Sequence, residues 1–157
     1  MGCKMLVRQM LTMKNQSNKP GIEAESIITI KPVATLAEAA KLLSERRIGA
    51  VVVSSDGRTP DGILSERDIV RQLGAHGSDV LSSPISEVMT RAVQTCRTGD
   101  DAMDILDRMT QGRFRHMPVV DEDGHMLGVV SIGDAVSGRL KELAAEKEAL
   151  TGMIMGS

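Results

Sequence analysis

The sequence predicts an α/β fold built from two β-α-β-β-α units packed against each other, and three observations carry that prediction. The first is an internal repeat at an offset of 66 residues: Gly62-Ile63-Leu64-Ser65-Glu66-Arg67-Asp68 returns as Gly128-Val129-Val130-Ser131-Ile132-Gly133-Asp134. The same offset maps Thr29 onto Thr95, Arg47 onto Arg113 and Val51-Val52-Val53 onto Met117-Pro118-Val119. Repeats of this kind mean that one unit buries its apolar face against its neighbour. The second observation is that, in each copy, short apolar runs of strand length flank a stretch with apolar residues at helical spacing. The third is size: 157 residues with 41% hydrophobic content suffice for a proper core.

Elements follow in order. Met1 to Lys14 has mild basic and apolar character, and Asn15-Gln16-Ser17-Asn18-Lys19-Pro20-Gly21 reads as a turn-rich linker. Residues 1–21 are thus an N-terminal extension, either disordered or an added dimer contact. Ile27 to Ile30 is a strand ended by Pro32. Thr35 then caps a helix carrying Leu36, Ala39, Ala40, Leu42 and Leu43, with Glu38 completing a capping box. Ile48 to Val53 reads as a buried strand, Ser55-Asp56-Gly57 as a turn, Gly62-Ile63-Leu64 as the partner strand, and Ser65 as the start of the next helix.

The second copy repeats this order. Ala92 to Thr95 is the strand, and Ala102, Ile105, Leu106 and Met109 mark the helix. A strand around Met117 to Val120, the turn Asp121 to Gly124, a strand over Met126 to Val130 and a helix from about Ile132 complete it. Between the copies Ser82-Ser83-Pro84 is a break, and Ile85 to Met89 reads as one helical turn. The boundaries expected are 22–81 for the first unit, 82–140 for the second and 141–157 for a C-terminal helix and tail. Mixed charges with Val136, Leu140, Leu143 and Leu150 make that helix amphipathic, suited to covering a core or a partner subunit.

Composition excludes several function classes. Phe114 is the sole aromatic residue, so stacking platforms for single-stranded nucleic acid are absent. A net charge of -2 gives no overall footprint for a polyanion. Cys3 and Cys96 make no Cys-x-x-Cys pair, and His76, His116 and His125 have no metal-ligand spacing. The start lacks the uninterrupted apolar stretch of a secretory signal, and nothing approaches a membrane span, so the expectation is a cytoplasmic protein. The eleven methionines fill irregular space in a core short of aromatics.

Two groups of residues have binding chemistry. Ser65 with Asp68, and Ser131 with Asp134, stand three apart at a helix start. A carboxylate there accepts two hydroxyl bonds from a ribose diol, while a hydroxyl and free helical amides suit a phosphate. The competing reading is structural, with each Ser an N-cap and each Asp favoured by the helix dipole. Gly62 and Gly128 leave room for a ligand or the other unit to approach the backbone. The second group is Arg113-Phe114-Arg115-His116-Met117-Pro118, which sets two guanidiniums and an imidazole at the mouth of a strand, as phosphate oxygens require. A solvated basic turn is its structural alternative. Arg46-Arg47 is the matching pair in copy one, but Gly49 and Ala50 stand where Arg115 and His116 would be, so phosphate contacts are lopsided. Arg67 is replaced by Gly133 in copy two, and pairs with a ligand, Glu66 or solvent.

The stretches Ser65 to Val70, Arg115 to Val120 and Gly128 to Asp134, in a paired strand-helix-strand-strand-helix repeat, resemble a tandem pair of CBS domains, the cystathionine beta-synthase type, over roughly residues 22 to 140. The chain is similar to stand-alone bacterial CBS-pair proteins. The resemblance implies two pseudo-symmetric CBS units packed through their sheets as one CBS-pair module with two clefts, a homodimer forming a disc of four CBS units, and an adenosine ligand such as AMP, ADP, ATP, S-adenosylmethionine or NAD(H). It places ribose on Asp68 and Asp134 with hydroxyls from Ser65 and Ser131, and adenine beside Thr29, Ile30, Val93 and Thr95. Phosphate falls to Arg113, Arg115 and His116, and Arg67 and Pro118 complete the expected binding set.

Catalysis would need a nucleophile oriented by a base. Ser131 and His116 are the only temptation, and no glycine elbow surrounds Ser131. The expectation is therefore a regulatory module with no catalytic residue, metal or catalytic cofactor, acting on an unidentified protein partner. The alternative is a structural dimerisation or interaction adaptor without a nucleotide.

Overall fold

The computed structural model describes residues 4–17 and 27–155. In chain order the regular elements are α1 (Val7–Ser17), β1 (Thr29–Ile30), α2 (Leu36–Arg46), β2 (Ala50–Val53), β3 (Gly62–Ser65), α3 (Glu66–His76), α4 (Ala102–Gly112), β4 (His116–Val120), β5 (Met126–Ser131) and α5 (Ile132–Met155). Two short 3-10 turns, Ser78–Ser82 and Ile85–Glu87, lie between α3 and α4. The chain divides into a first unit, residues 27–94 with 122–126, and a second unit, residues 4–17, 95–121 and 127–155.

In the first unit the capping box is formed as expected: Thr35 Oγ1 accepts from the Glu38 amide at 3.2 Å, and Glu38 Oε2 accepts from the Thr35 amide at 3.1 Å. The helix ends at Arg47, which turns left-handed at φ 54°. β1 pairs parallel with β2 through Thr29↔Val52 and Ile30↔Val53, and β2 pairs antiparallel with β3 from Ala50↔Ser65 to Val53↔Gly62. Leu36, Leu43, Val51, Val53, Leu64 and Ile85 form the core beneath. The β2–β3 loop is held by Asp56, whose Oδ1 accepts from the Thr59 and Arg58 amides at 2.8 Å each. With the Ser54 hydroxyl added at 2.9 Å, these bonds hold the Asp56 carboxyl well below the usual carboxylate range.

The second unit reproduces this frame at the 66-residue offset. α4 spans the counterparts of α2, Asp101 replaces Thr35 as N-cap, and Arg113 replaces Arg47 as the left-handed end at φ 56°. The bond from the Ile48 amide to Leu43 O becomes that from the Phe114 amide to Met109 O. The expected strand over Ala92 to Thr95 does not form; one parallel bridge, Cys96↔Val119, stands at the offset of Ile30↔Val53. Cys96 donates to Pro118 O at 3.0 Å and accepts from Val120 N–H at 2.9 Å. The ladder stops there because the next donor would be residue 118, a proline without an N–H. Cys96 is 2% exposed, and burial pushes its thiol up to about 12.

The N-terminal segment is a structural part of the second unit. Asn15, Gln16 and Ser17, expected in a linker, end α1, while Asn18 to Gly21 lie outside the described residues. Val7 and Met10 are 0% and 2% exposed, in one core with Ile105, Met109, Met117 and Val130. Ala102 N–H donates to Met5 O at 2.9 Å, Val7 N–H to Asp100 O at 2.8 Å and Arg8 N–H to Thr98 O at 3.1 Å. In the first unit the same work falls to the segment after α3: Leu36 N–H donates to Ser83 O at 3.0 Å, Ile85 N–H to Ala34 O at 2.8 Å and Ser86 N–H to Pro32 O at 3.0 Å. Leu6-Val7-Arg8-Gln9-Met10-Leu11-Thr12 and Pro84-Ile85-Ser86-Glu87-Val88-Met89-Thr90 are thus a second internal repeat, at an offset of 78.

Candidate functional site

Each unit builds its helix start by the same chemistry. Before α3, Ser65 N–H and Oγ both donate to Asp68 Oδ2, at 2.9 and 3.0 Å, and the Asp68 amide donates to Ser65 Oγ at 3.3 Å. Before α5, Ser131 N–H donates to Asp134 Oδ2 at 2.8 Å and the Asp134 amide donates to Ser131 Oγ at 3.1 Å. The capping reading is therefore realised in both copies. The cap bonds to each carboxylate fall on Oδ2, and a carboxylate offers about four lone-pair sites in all.

In the second unit the main chain of the basic cluster meets this helix start. Ile132 N–H, the first amide of α5, donates to Arg115 O at 2.8 Å. That bond fixes the chain just before β4 beside Ser131 and Asp134, with Arg115 exposed and His116 half-buried. Arg113 is exposed at the left-handed end of α4. Thr95 is half-buried one residue before the Cys96 bridge, and its carbonyl accepts from Arg108 Nη2 at 2.7 Å. Pro118, within β4, is buried. Cationic groups next to the amide end of a long helix favour an anion there.

In the first unit Glu66 N–H donates to Gly49 O at 3.0 Å, the same bond at the same offset. Gly49 and Ala50 bring no cation to it. Arg67 is exposed in the first turn of α3, while Thr29 and Ile30 are half-buried on β1. Val93 is half-buried in the irregular stretch before the Cys96 bridge.

The two glycines do different work from that expected. A Cβ at Gly62 would lie 2.6 Å from Met89 Sδ and 3.0 Å from Thr90 O, and one at Gly128 would lie 2.8 Å from Leu11 Cδ2. Their missing side chains admit the covering segments of their own units. Leu11 and Met89 are equivalent in the 78-residue repeat, which was the sequence signal for this contact.

Among the described residues no helix is long and apolar enough to cross a membrane. The family profile described as the CBS domain matches residues 22–75 and 85–140. An uncharacterized 17.7 kDa protein of Acidianus ambivalens is 36% identical over 72% of this chain and 67% of its own length. CBSCBSPB1 of Arabidopsis thaliana, a CBS domain-containing protein, is 29% identical, and the chain spans only 24% of its length. Among solved structures, the CBS-domain protein ATU1752 of Agrobacterium tumefaciens is 35% identical with a TM-score of 0.72, covering 85% of this chain and 92% of that one. CBSX2, solved in complex with AMP, is 25% identical with a TM-score of 0.62, covering 73% of this chain and 88% of that one.

Proposed function

Because the chain belongs to the CBS-domain family, whose domains are regulatory and not catalytic, we propose that it is a ligand-sensing module for an adenosine nucleotide. The observation that carries this reading is the Ile132 N–H to Arg115 O bond, which fixes the main chain of Arg115, between Arg113 and His116 in sequence, at the Ser131–Asp134 helix start. Asp134 accepts the ribose hydroxyls, helped by Ser131, and Arg113, Arg115 and His116 take phosphate. Thr95, Val93 and Pro118 border the base. Ser65, Asp68, Arg67, Thr29 and Ile30 form the matching set in the first unit, poorer in phosphate contacts because Gly49 and Ala50 replace Arg115 and His116. The AMP held by CBSX2 supports this ligand class, and AMP, ATP and NAD(H) share the chemistry. Nucleotide binding favours one conformational state and so alters a surface read by a regulated protein. The reading includes a cytoplasmic homodimer. Its support is the pair Val70 and Val136, at equivalent repeat positions on α3 and α5, which are 67% and 44% exposed.

Calorimetric titration of nucleotide-stripped protein with AMP, ATP, NADH and S-adenosylmethionine tests the reading. Saturable binding of at least one, weakened tenfold or more by Asp134→Ala in a folded chain, is expected. Failure of all four to bind a folded protein overturns it in favour of a structural adaptor, and an Asp134→Ala isotherm matching the parent removes Asp134 from the site.

A further inference from the structure

The 66-residue repeat ends before α5 does. α3 stops at His76, whose counterpart is Glu142, and the family match stops at residue 140, yet α5 runs on to Met155. Val136, Leu140, Leu143, Lys147 and Leu150 are spaced alternately by four and three residues, the 3.5-residue period of a helix seam. All five are exposed, the four apolar ones at 44%, 61%, 44% and 61%. A seam of two heptads is too short to hold a lone helix pair, so its occupant must also rest on the surface beside it. That surface is a cleft of about 400 Å³ between α4 and α5. Within it Lys4 lies 3.8 Å from Asp101, and Arg139 bonds buried Glu142 at 2.9 Å, while Asp104, Asp107 and Glu146 add three more carboxylates. The seam of this same helix has one cation, Lys147.

From this complementarity we infer that α5 beyond the repeat is a docking surface for α5 of a second copy of this chain, with Lys147 of each copy meeting the acidic cleft of the other. This rests on the homodimer reading above and assigns its contact to the helical extension. A lysine in an apolar seam specifies register and partner at a cost in stability, and opposite charge across an interface suppresses wrong pairings.

Sedimentation equilibrium of the full chain tests the inference, with circular dichroism and AMP titration run on each variant. Leu143 and Leu150 are exposed, so Leu143→Glu with Leu150→Glu leaves the fold and AMP binding unchanged and weakens the dimer at least about 100-fold. Lys147→Glu weakens it about tenfold, and Asp104→Lys with Asp107→Lys in the Lys147→Glu chain restores it. A dimer unaffected by the leucine changes but broken by Val70→Glu overturns the inference and keeps the homodimer. A parent chain that stays monomeric at about 100 µM overturns both, and favours a basic amphipathic helix of another protein as occupant. Charge reversal without rescue overturns the Lys147 contact. Absence of AMP binding in every chain, with the dimer pattern as expected, counts against the nucleotide reading alone.

Discussion

Met10→Ala tests whether the N-terminal helix is an integral part of the second unit. Met10 is 2% exposed, and its sulfur lies 3.0 Å from where a Cβ at Gly138 would stand, so α1 sits close against α5 where Gly138 leaves space. Truncation removes Cγ, Sδ and Cε, at about 0.8 kcal/mol for each methylene-sized group. The void adds to that transfer loss, for a total of about 3 kcal/mol, within the range of about 2–5 kcal/mol for such changes. For a chain of this length that lowers Tm by about 6–12 °C. The chain has no Trp or Tyr, so the assay is urea and thermal unfolding followed by far-ultraviolet circular dichroism. Met103→Ala, at a 46% exposed position on α4, is the control and costs less than about 0.5 kcal/mol. A Met10→Ala loss no larger than this control would refute the claim that α1 completes the core.

Three further outcomes are expected. Arg47→Gly relieves a left-handed arginine at φ 54° and raises stability by about 0.5–1 kcal/mol in urea unfolding; Arg113→Gly, at φ 56°, does the same but weakens AMP binding. With its pKa raised from 9.0 to about 12, Cys96 stays a thiol when folded and resists thiol reagents until the chain unfolds. The unfolded chain loses that proton first, so the contribution is intact below about pH 9 and is lost as pH rises toward 12; Cys96→Ala removes this alkaline slope. Asp56 has the opposite sign, since its lowered pKa makes a contribution present above the ordinary aspartate value of 3.8 and lost as pH falls below it. Asp56→Asn flattens that acid limb, which an acid titration of stability checks.

Much of the frame was legible because local chemistry specifies it. The Thr35–Glu38 box, the Ser65 and Ser131 helix starts and the strands flanking Gly62 and Gly128 depend on neighbours within a few residues, and the 66-residue offset doubled each signal. The candidate binding residues were legible as types, since a Ser and Asp three apart at a helix start are visible in one dimension. Their capping role was harder to weigh, because the same atom types suit a cap and a ligand. Pro118 held the signal against a strand at Ala92 to Thr95, but its effect depends on which partner strand would need its missing N–H.

Spacing along the chain carries the 66-residue repeat, the Thr35, Ser65 and Ser131 caps, the family, and the element order apart from α1 and the strand expected at Ala92 to Thr95. That Met5 to Leu11 covers the second unit while Ser83 to Met89 covers the first is visible in the folded molecule alone. The carbonyls of Ala34 and Asp100, and the spaces above Gly62 and Gly128, each need a partner, and several short apolar segments meet that need equally well on local pattern. Which one fills it depends on long-range packing, and that physical choice turned an apparent N-terminal extension into part of the second unit's core.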